Sequence, residues 1–254
     1  MDGVARGSRF RVKGRTLGVA HRGASRYAPE NTLAAFRLAL EHGVRAVECD
    51  VRRTQDGHLV VIHDPAVDRT TDGRGDVGSL TLESLRRLDA GRWFGSEFAG
   101  ERVPLLQEVL EAVRGRALIK IEIKNDPVTS EGIEQQVAGV IRGYSMEDEV
   151  LVMSFDHRII RELRSAAPRL ATGILFAARL VDPIAAARGA AADALCVDWG
   201  YLDRDLVDTA HRAGLGVFVW TVDDEQAIRR CADLGVDGIT SNDTRLIARL
   251  LGGA

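Results

Sequence analysis

Two carboxylates stand two residues apart in the run Val47-Glu48-Cys49-Asp50-Val51. Successive side chains of a β-strand point to opposite faces, so Glu48 and Asp50 share one face while Val47, Cys49 and Val51 take the other. The run from Ile119 to Lys124 repeats the pattern, with Ile119, Ile121 and Ile123 on one face and Lys120, Glu122 and Lys124 on the other. Strand residues i and i+2 have Cα atoms about 6.6 Å apart. From that spacing two carboxylates can reach one Mg²⁺ or Ca²⁺ ion at oxygen distances of about 2.0–2.6 Å. Three acidic side chains converging on one point repel unless a cation or a lysine neutralises them. A divalent metal answers that need, and so does a buried Lys–Glu cluster tying two strands together.

Histidines bear on the choice. His21 follows the short apolar run Leu17–Ala20 and precedes Arg22-Gly23; His63 follows Leu59–Ile62 and precedes Asp64-Pro65. Imidazoles titrate near neutrality and can serve as general base and general acid, while Arg22 and Lys124 can hold a phosphate or another oxyanion. Only three of the 34 basic residues are lysine, namely Lys13, Lys120 and Lys124, so two of the three are expected to face the same interior. The remaining histidines, His42, His58, His157 and His211, fall on helices or loop edges and read as surface residues. Trp220 ends a strand as Val219-Trp220-Thr221, where it either lines a substrate pocket or packs in the core.

The elements that must position these groups alternate. Strand-like runs are Leu17–Ala20, Arg45–Val51, Ala117–Ile123, Val150–Ser154, Thr172–Phe176, Ala194–Val197, Gly216–Val222 and Gly238–Thr240. Helical segments between them include 31–42, 131–142, 156–167, 203–213 and 223–234. Asp156, Asp203 and Asp223 stand where a carboxylate caps a helix, and Gly214 and Gly235 where helices stop. Eight strands with intervening helices in 254 residues point to an α/β fold, a (β/α)8 TIM barrel, with an open doubly wound sheet as the alternative. In a barrel the helix-covered outer face is apolar, so Glu48, Asp50 and Glu122 point inward near the C-terminal strand ends, where barrel active sites sit. Residues 58–104, rich in Asp, Gly and Arg, interrupt the alternation and read as a small insertion between the second and third barrel strands, with a short helix over Thr81–Leu88. Within it Gly73-Arg-Gly75-Asp-Val-Gly78 satisfies GxGxxG but neither follows a strand closely nor opens a helix, so it reads as a flexible loop. The whole chain, residues 1–254, is expected to be one domain, with Gly252–Ala254 a frayed tail.

Composition excludes several classes. The chain has 34 basic and 37 acidic residues and a formal net charge of −3, which argues against nucleic acid as a partner. Five basic residues before Thr16 have no apolar run behind them, and no stretch approaches the roughly 18 apolar residues of a membrane span. Cys49, Cys196 and Cys231 are odd in number and lack CxxC spacing, so a cytoplasmic location without disulfides is expected.

Five motifs occur in order: His21-Arg22-Gly23; Pro29-Glu30-Asn31-Thr32; Glu48-Cys49-Asp50-Val51; Asp56-Gly57 with Val60-Val61-Ile62-His63-Asp64; and Glu122-Ile123-Lys124. The series resembles that of the glycerophosphodiester phosphodiesterase family, cytosolic bacterial type. The insertion is similar too, through Arg69-Thr70-Thr71-Asp72-Gly73, Leu80-Thr81-Leu82, Leu88-Asp89-Ala90-Gly91, Trp93-Phe94 and Pro104. The resemblance implies a (β/α)8 barrel that hydrolyses small-molecule glycerophosphodiesters to sn-glycerol 3-phosphate and an alcohol; the composition adds the expectation of no stable membrane association. It implies Glu48, Asp50 and Glu122 as ligands of one divalent cation, Mg²⁺ or Ca²⁺, His21 and His63 as the acid/base pair, and Arg22 and Lys124 as phosphate contacts. Water or the glycerol 2-hydroxyl serves as nucleophile. A lysophospholipase D-type phosphodiesterase and a non-catalytic phosphodiester-binding barrel are the alternatives. The chain departs from the family pattern at Thr240-Ser241-Asn242-Asp243-Thr244, where a proline is missing, and at Lys120, for which the motif supplies no partner.

Overall fold

The computed structural model describes residues 6–11, 14–125, 127 and 129–252. Its elements run β1 (Leu17–Ala20), α1 (Leu33–Glu41), β2 (Ala46–Arg53), β3 (Leu59–Val61), α2 (Leu82–Arg86), α3 (Leu106–Val113), β4 (Leu118–Ile123) and α4 (Ile133–Gly143). They continue with β5 (Val150–Ser154), α5 (His157–Ala166), β6 (Ala171–Phe176), α6 (Pro183–Gly189), β7 (Ala194–Asp198), α7 (Arg204–Arg212), β8 (Gly216–Trp220), α8 (Glu225–Asp233), β9 (Gly238–Ser241) and α9 (Thr244–Leu251). Every strand but β3 is parallel to its neighbours, and β1 pairs with both β9 and β2, so eight strands close into a barrel. Closure decides for the (β/α)8 barrel over the open sheet.

Strand alternation sorts the side chains as a closed parallel sheet requires. Val47, Cys49, Val51, Ile119, Ile121, Ile123 and Val152 are buried with helix residues such as Phe36, Leu110 and Ile160. Burying an aliphatic side chain of this size contributes about 1.5–3 kcal/mol, so this layer drives closure. A second, smaller cluster of Leu151, Met153, Ala171, Leu175, Cys196 and Phe218 fills the barrel interior. Phe10 joins that cluster and packs edge-on against Phe218, with ring centroids 6.4 Å apart. None of the described helices is long and apolar enough to cross a membrane.

Asp156 and Asp203 cap α5 and α7 by accepting the backbone N–H of Arg158 and Leu206. Asp223 does not cap α8; its neighbour Asp224 does, accepting from Ala227 N–H. The carboxylate of Asp223 is committed elsewhere, to Ser241 and Asn242. Helices α3, α6 and α9 complete the alternation beyond the segments read from sequence.

The insertion begins as an antiparallel hairpin on β2, with Val51 opposite Val61 and Arg53 opposite Leu59. It closes over its own small core of Val60, Ile62, Val67, Val77, Leu85, Ala90 and Val103. Gly91 is obligatory there, because a Cβ would stand 1.9 Å from the Phe98 carbonyl oxygen. The Gly73–Gly78 loop is tied back, Gly75 donating to Asp68 Oδ1 at 2.9 Å and accepting from Val67 N–H. Lys13 and residues 253–254 of the expected tail lie outside the described residues.

Candidate active site

The register of β2 against β4 sets Asp50 beside Glu122 and Glu48 beside Lys120. Register partners in parallel strands point to the same face, so the three carboxylates meet inside the barrel. One oxygen from each of Glu48, Asp50 and Glu122 lies within 4.8 Å of the others, and all three residues are buried. Lys124 Nζ lies 2.6 Å from Glu122 Oε1 and 3.3 Å from Asp50 Oδ1. Arg22 Nε is 3.1 Å from Asp50 Oδ2. The buried Asp50 Oδ1 and Glu122 Oε1 are thus held by the Lys124 ammonium and by no other side-chain donor among the described residues. Three buried carboxylates against two cations, Lys124 and Arg22, leave negative charge on a shared centre that a divalent cation would neutralise, and an all-oxygen donor set suits Mg²⁺ or Ca²⁺. The residues fit a metal ion.

The remaining groups close around this centre. The β1–α1 turn carries Arg22 in the left-handed region at φ 56°, which costs a non-glycine residue about 1–2 kcal/mol. Its N–H donates to Glu48 Oε2 at 3.0 Å and its guanidinium to Glu30 Oε1 at 2.8 Å, which offsets that cost. Gly23 follows at φ 79°, and a Cβ there would lie 2.6 Å from the Ala35 backbone, so glycine alone brings the turn under α1. Asn31 donates from Nδ2 to Asp50 Oδ2 at 2.8 Å. The hairpin delivers His63, since Ile62 N–H donates to the Asp50 carbonyl and Arg52 Nε to the His63 carbonyl.

Each imidazole is held through Nδ1. His63 Nδ1 is 2.6 Å from Asp64 Oδ1, and Asp64 and Glu30 are both clamped by Arg69. His21 Nδ1 is 2.7 Å from Asn242 Oδ1. Asn242 Nδ2 donates to Asp223, which turns the amide oxygen toward His21 and makes Nδ1 the protonated nitrogen. His21 Nε2 then faces Glu48 Oε2 at 4.0 Å.

Burial, aided by Arg22, drives His21 down to about 4 against the pull of Asp50. Burial also lowers His63, while Asp50 and Asp64 act to raise it. Burial and then Asp50 push Glu48 well above the carboxylate range, and the same two causes carry Glu122 up to about 7. Burial would raise Asp50 too, but Lys124 and Arg22 overcome it and hold that acid below its ordinary range. Three carboxylates packed together thus share fewer than three charges without a bound cation.

A cavity of about 120 Å³ opens on the cluster, lined by His21, Arg22, Glu48, His63, Glu122 and Lys124, among others. Trp220 also lines it, half-buried, its Nε1 donating to the Cys196 carbonyl at 3.2 Å and its ring edge-on to Phe155. Trp220 is therefore a cavity wall. A larger cavity, about 590 Å³, lies at the opposite end of the barrel between Phe10, Leu17, Val44 and Leu118, but no histidine reaches it. Of the four histidines read as surface residues, only His58 is exposed. His42, His157 and His211 are half-buried and bond Thr244 of α9, the Leu175 carbonyl of β6 and Asp237, because the helices pack against the strands and helices beside them.

Glu30, Asn31, Asp64, Arg69 and Asn242 build the site without a site role read from the sequence, and Asp223, read as a helix cap, joins them. Asp64 adjoins His63, a signal that was available; Asn242 lies 221 residues from His21 and offered none. Asn242→Ala is expected to lower turnover about 10–100-fold, the range for loss of a group orienting a working histidine. It should also let the His21 ring sample both tautomers, which ¹⁵N imidazole shifts would reveal. Unchanged shifts would show that Asn242 does not set the tautomer.

A barrel mouth that places two imidazoles and two cations around a carboxylate cluster has the equipment of an enzyme for anionic esters. The chain belongs to the glycerophosphoryl diester phosphodiesterase family, whose pattern matches residues 21–246, and is thereby a phosphoric diester hydrolase. It is 42% identical over 238 residues to a glycerophosphodiester phosphodiesterase of Caldanaerobacter subterraneus, covering 93% of this chain and 98% of that one. The crystal structure of a glycerophosphodiester phosphodiesterase from Agrobacterium tumefaciens matches with a TM-score of 0.82 and 35% identity over 92% of this chain and 99% of that one. A phosphodiesterase from Oleispira antarctica, in complex with the product sn-glycerol-3-phosphate, matches with a TM-score of 0.87 and 28% identity over 98% of this chain and 100% of that one.

Proposed function

We propose that this protein hydrolyses glycerophosphodiesters to sn-glycerol 3-phosphate and an alcohol, with Glu48, Asp50 and Glu122 holding Mg²⁺ or Ca²⁺. The observation that carries the reading is the convergence of His21 and His63, each held by Nδ1, on a buried centre of three carboxylates. The product held by the Oleispira relative supports the same substrate class. A divalent cation at that centre supplies a Lewis acid that neutralises developing charge on the phosphodiester.

His21 is neutral, its Nδ1–H given to Asn242, and keeps a lone pair on Nε2; it takes the proton from the nucleophile, water or the glycerol 2-hydroxyl. Burial lowers His63, and the Asp50 and Asp64 carboxylates offset this in part; in its protonated form it delivers a proton from Nε2 to the departing alkoxide. Arg22 and Lys124 hold the non-bridging oxygens. Trp220 and Phe155 form one wall of the substrate cavity. The three separately buried thiols accord with a reducing, cytoplasmic setting.

Release of glycerol 3-phosphate from glycerophosphocholine, measured with EDTA and then with added Mg²⁺ or Ca²⁺, tests the reading. Loss on chelation and recovery with one of the two ions is the expected result. Undiminished turnover by metal-stripped protein would remove the cation from the proposal.

A further inference from the structure

Lys120 has no part in the acid–base and phosphate-holding roles proposed above. Its side chain is among the largest fully buried ones, at 0% exposure, and its Nζ has no hydrogen-bond partner. Among the described residues it forms no ion pair, although its register partner on β2 is Glu48. Its one directional contact is with the Phe218 ring, 4.9 Å from Nζ to the centroid, on the apolar floor of the barrel. An isolated ammonium in such a place is strongly disfavoured unless something meets it. Thr240 Oγ1, on β9, is likewise buried and unpartnered. Both residues line the same cavity as His21, His63 and Glu122.

We infer that Lys120 and Thr240 form a polyol subsite at the floor of this cavity, recognising hydroxyl groups of the three-carbon backbone whose phosphate sits above at the carboxylate centre. The inference rests on the proposed function and names the residues that select glycerol. Lys120 stands two positions before Glu122 on the inward face of β4, about 6.6 Å deeper into the barrel. That step separates the phosphate end from a polar group two or three bonds away. An ammonium donates to a hydroxyl oxygen, and a threonine hydroxyl both donates and accepts, which matches a vicinal diol. The walls between are apolar, from Met153, Leu175 and Trp220, as the methylene groups of a polyol require.

The test compares two probes, sn-glycerol 3-phosphate and inorganic phosphate, by titration calorimetry with the metal ion present. The protein with its native sequence is expected to prefer glycerol 3-phosphate. Lys120→Met, which keeps the shape and removes the charge, should weaken glycerol 3-phosphate about tenfold or more and inorganic phosphate less than twofold. Thr240→Val should weaken glycerol 3-phosphate about three- to tenfold with the same selectivity. Lys120→Met should melt no lower than the native protein, since an unpaired buried cation has been replaced by an apolar group. Equal weakening of both probes would mean that Lys120 holds phosphate, and no change in either would make it a packing residue; each result overturns the subsite. A native protein that binds both probes alike would also overturn it. Failure to hydrolyse glycerophosphocholine would count against the proposed function instead, and leaves these binding ratios readable.

Discussion

Glu122→Gln is expected to lower kcat/KM for glycerophosphocholine by about 10³-fold or more, at any concentration of Mg²⁺ or Ca²⁺. The substitution keeps shape and burial but removes one of three carboxylates that meet within 4.8 Å. Loss of a ligand at a centre stabilising phosphoryl charge amounts to several kcal/mol, and each ~1.4 kcal/mol is a factor of ten in rate. The same variant should be more stable than the parent when metal is stripped. Burial and Asp50 raise Glu122 to about 7, so the folded state holds a proton that the unfolded chain releases near 4.5. A raised carboxylate costs nothing below about pH 4.5, and its cost grows as pH rises and is complete above about 7. Glutamine imitates the protonated acid at every pH. Denaturant titration of the metal-free variant should therefore show no gain at pH 4 and a gain of up to about 3 kcal/mol at pH 8. Turnover near that of the parent with saturating metal would exclude Glu122 as a ligand. An inactive variant with lower stability at pH 8 would show that Glu122 serves the fold.

The second large effect separates the two histidines. His21→Ala and His63→Ala are each expected to reduce turnover of glycerophosphocholine by about 10²–10⁴-fold, the range for loss of a general acid or base. They should differ when the departing alcohol is changed. A glycerophosphodiester of p-nitrophenol releases a stable phenolate that needs no proton, so the defect of His63→Ala should shrink to within about tenfold. The defect of His21→Ala should persist, because the nucleophile must still lose its proton. The basis is the hydrogen bonding of each ring: His63 faces the Asp64 carboxylate, whereas His21 faces a neutral amide oxygen and is held to about 4. Rescue of His21→Ala instead of His63→Ala would exchange the roles, and equal defects with both substrates would remove the acid–base assignment.

The carboxylate centre was legible because its determinants are local. Strand periodicity put Glu48, Asp50 and Glu122 on interior faces, and the β2–β4 register then had only to bring those faces together. His21 and His63 were legible because each ends a short apolar run, and runs of that kind deliver the residue that follows to the end of a strand. Asp223 was misread for a related reason. An aspartate before a helical segment is a good cap candidate, and with two in succession the pattern cannot say which one caps; Asp224 does, freeing Asp223 to orient Asn242.

What lay beyond the sequence is what depends on closure. Whether the eight strands form a barrel or an open sheet turns on one contact, β1 against β9, between residues more than two hundred positions apart. That contact also carries Asn242 to His21 and Thr240 to the cavity that Lys120 enters. The sequence by itself determined which side chains face inward and what chemistry they can perform, because alternation along a strand is a property of the covalent backbone. Only the tertiary structure decided which nitrogen of His21 is free, which acids are held below or above their ordinary range, and which buried cation is left without a partner. Those properties arise from distances and desolvation between segments that meet only when the barrel is closed.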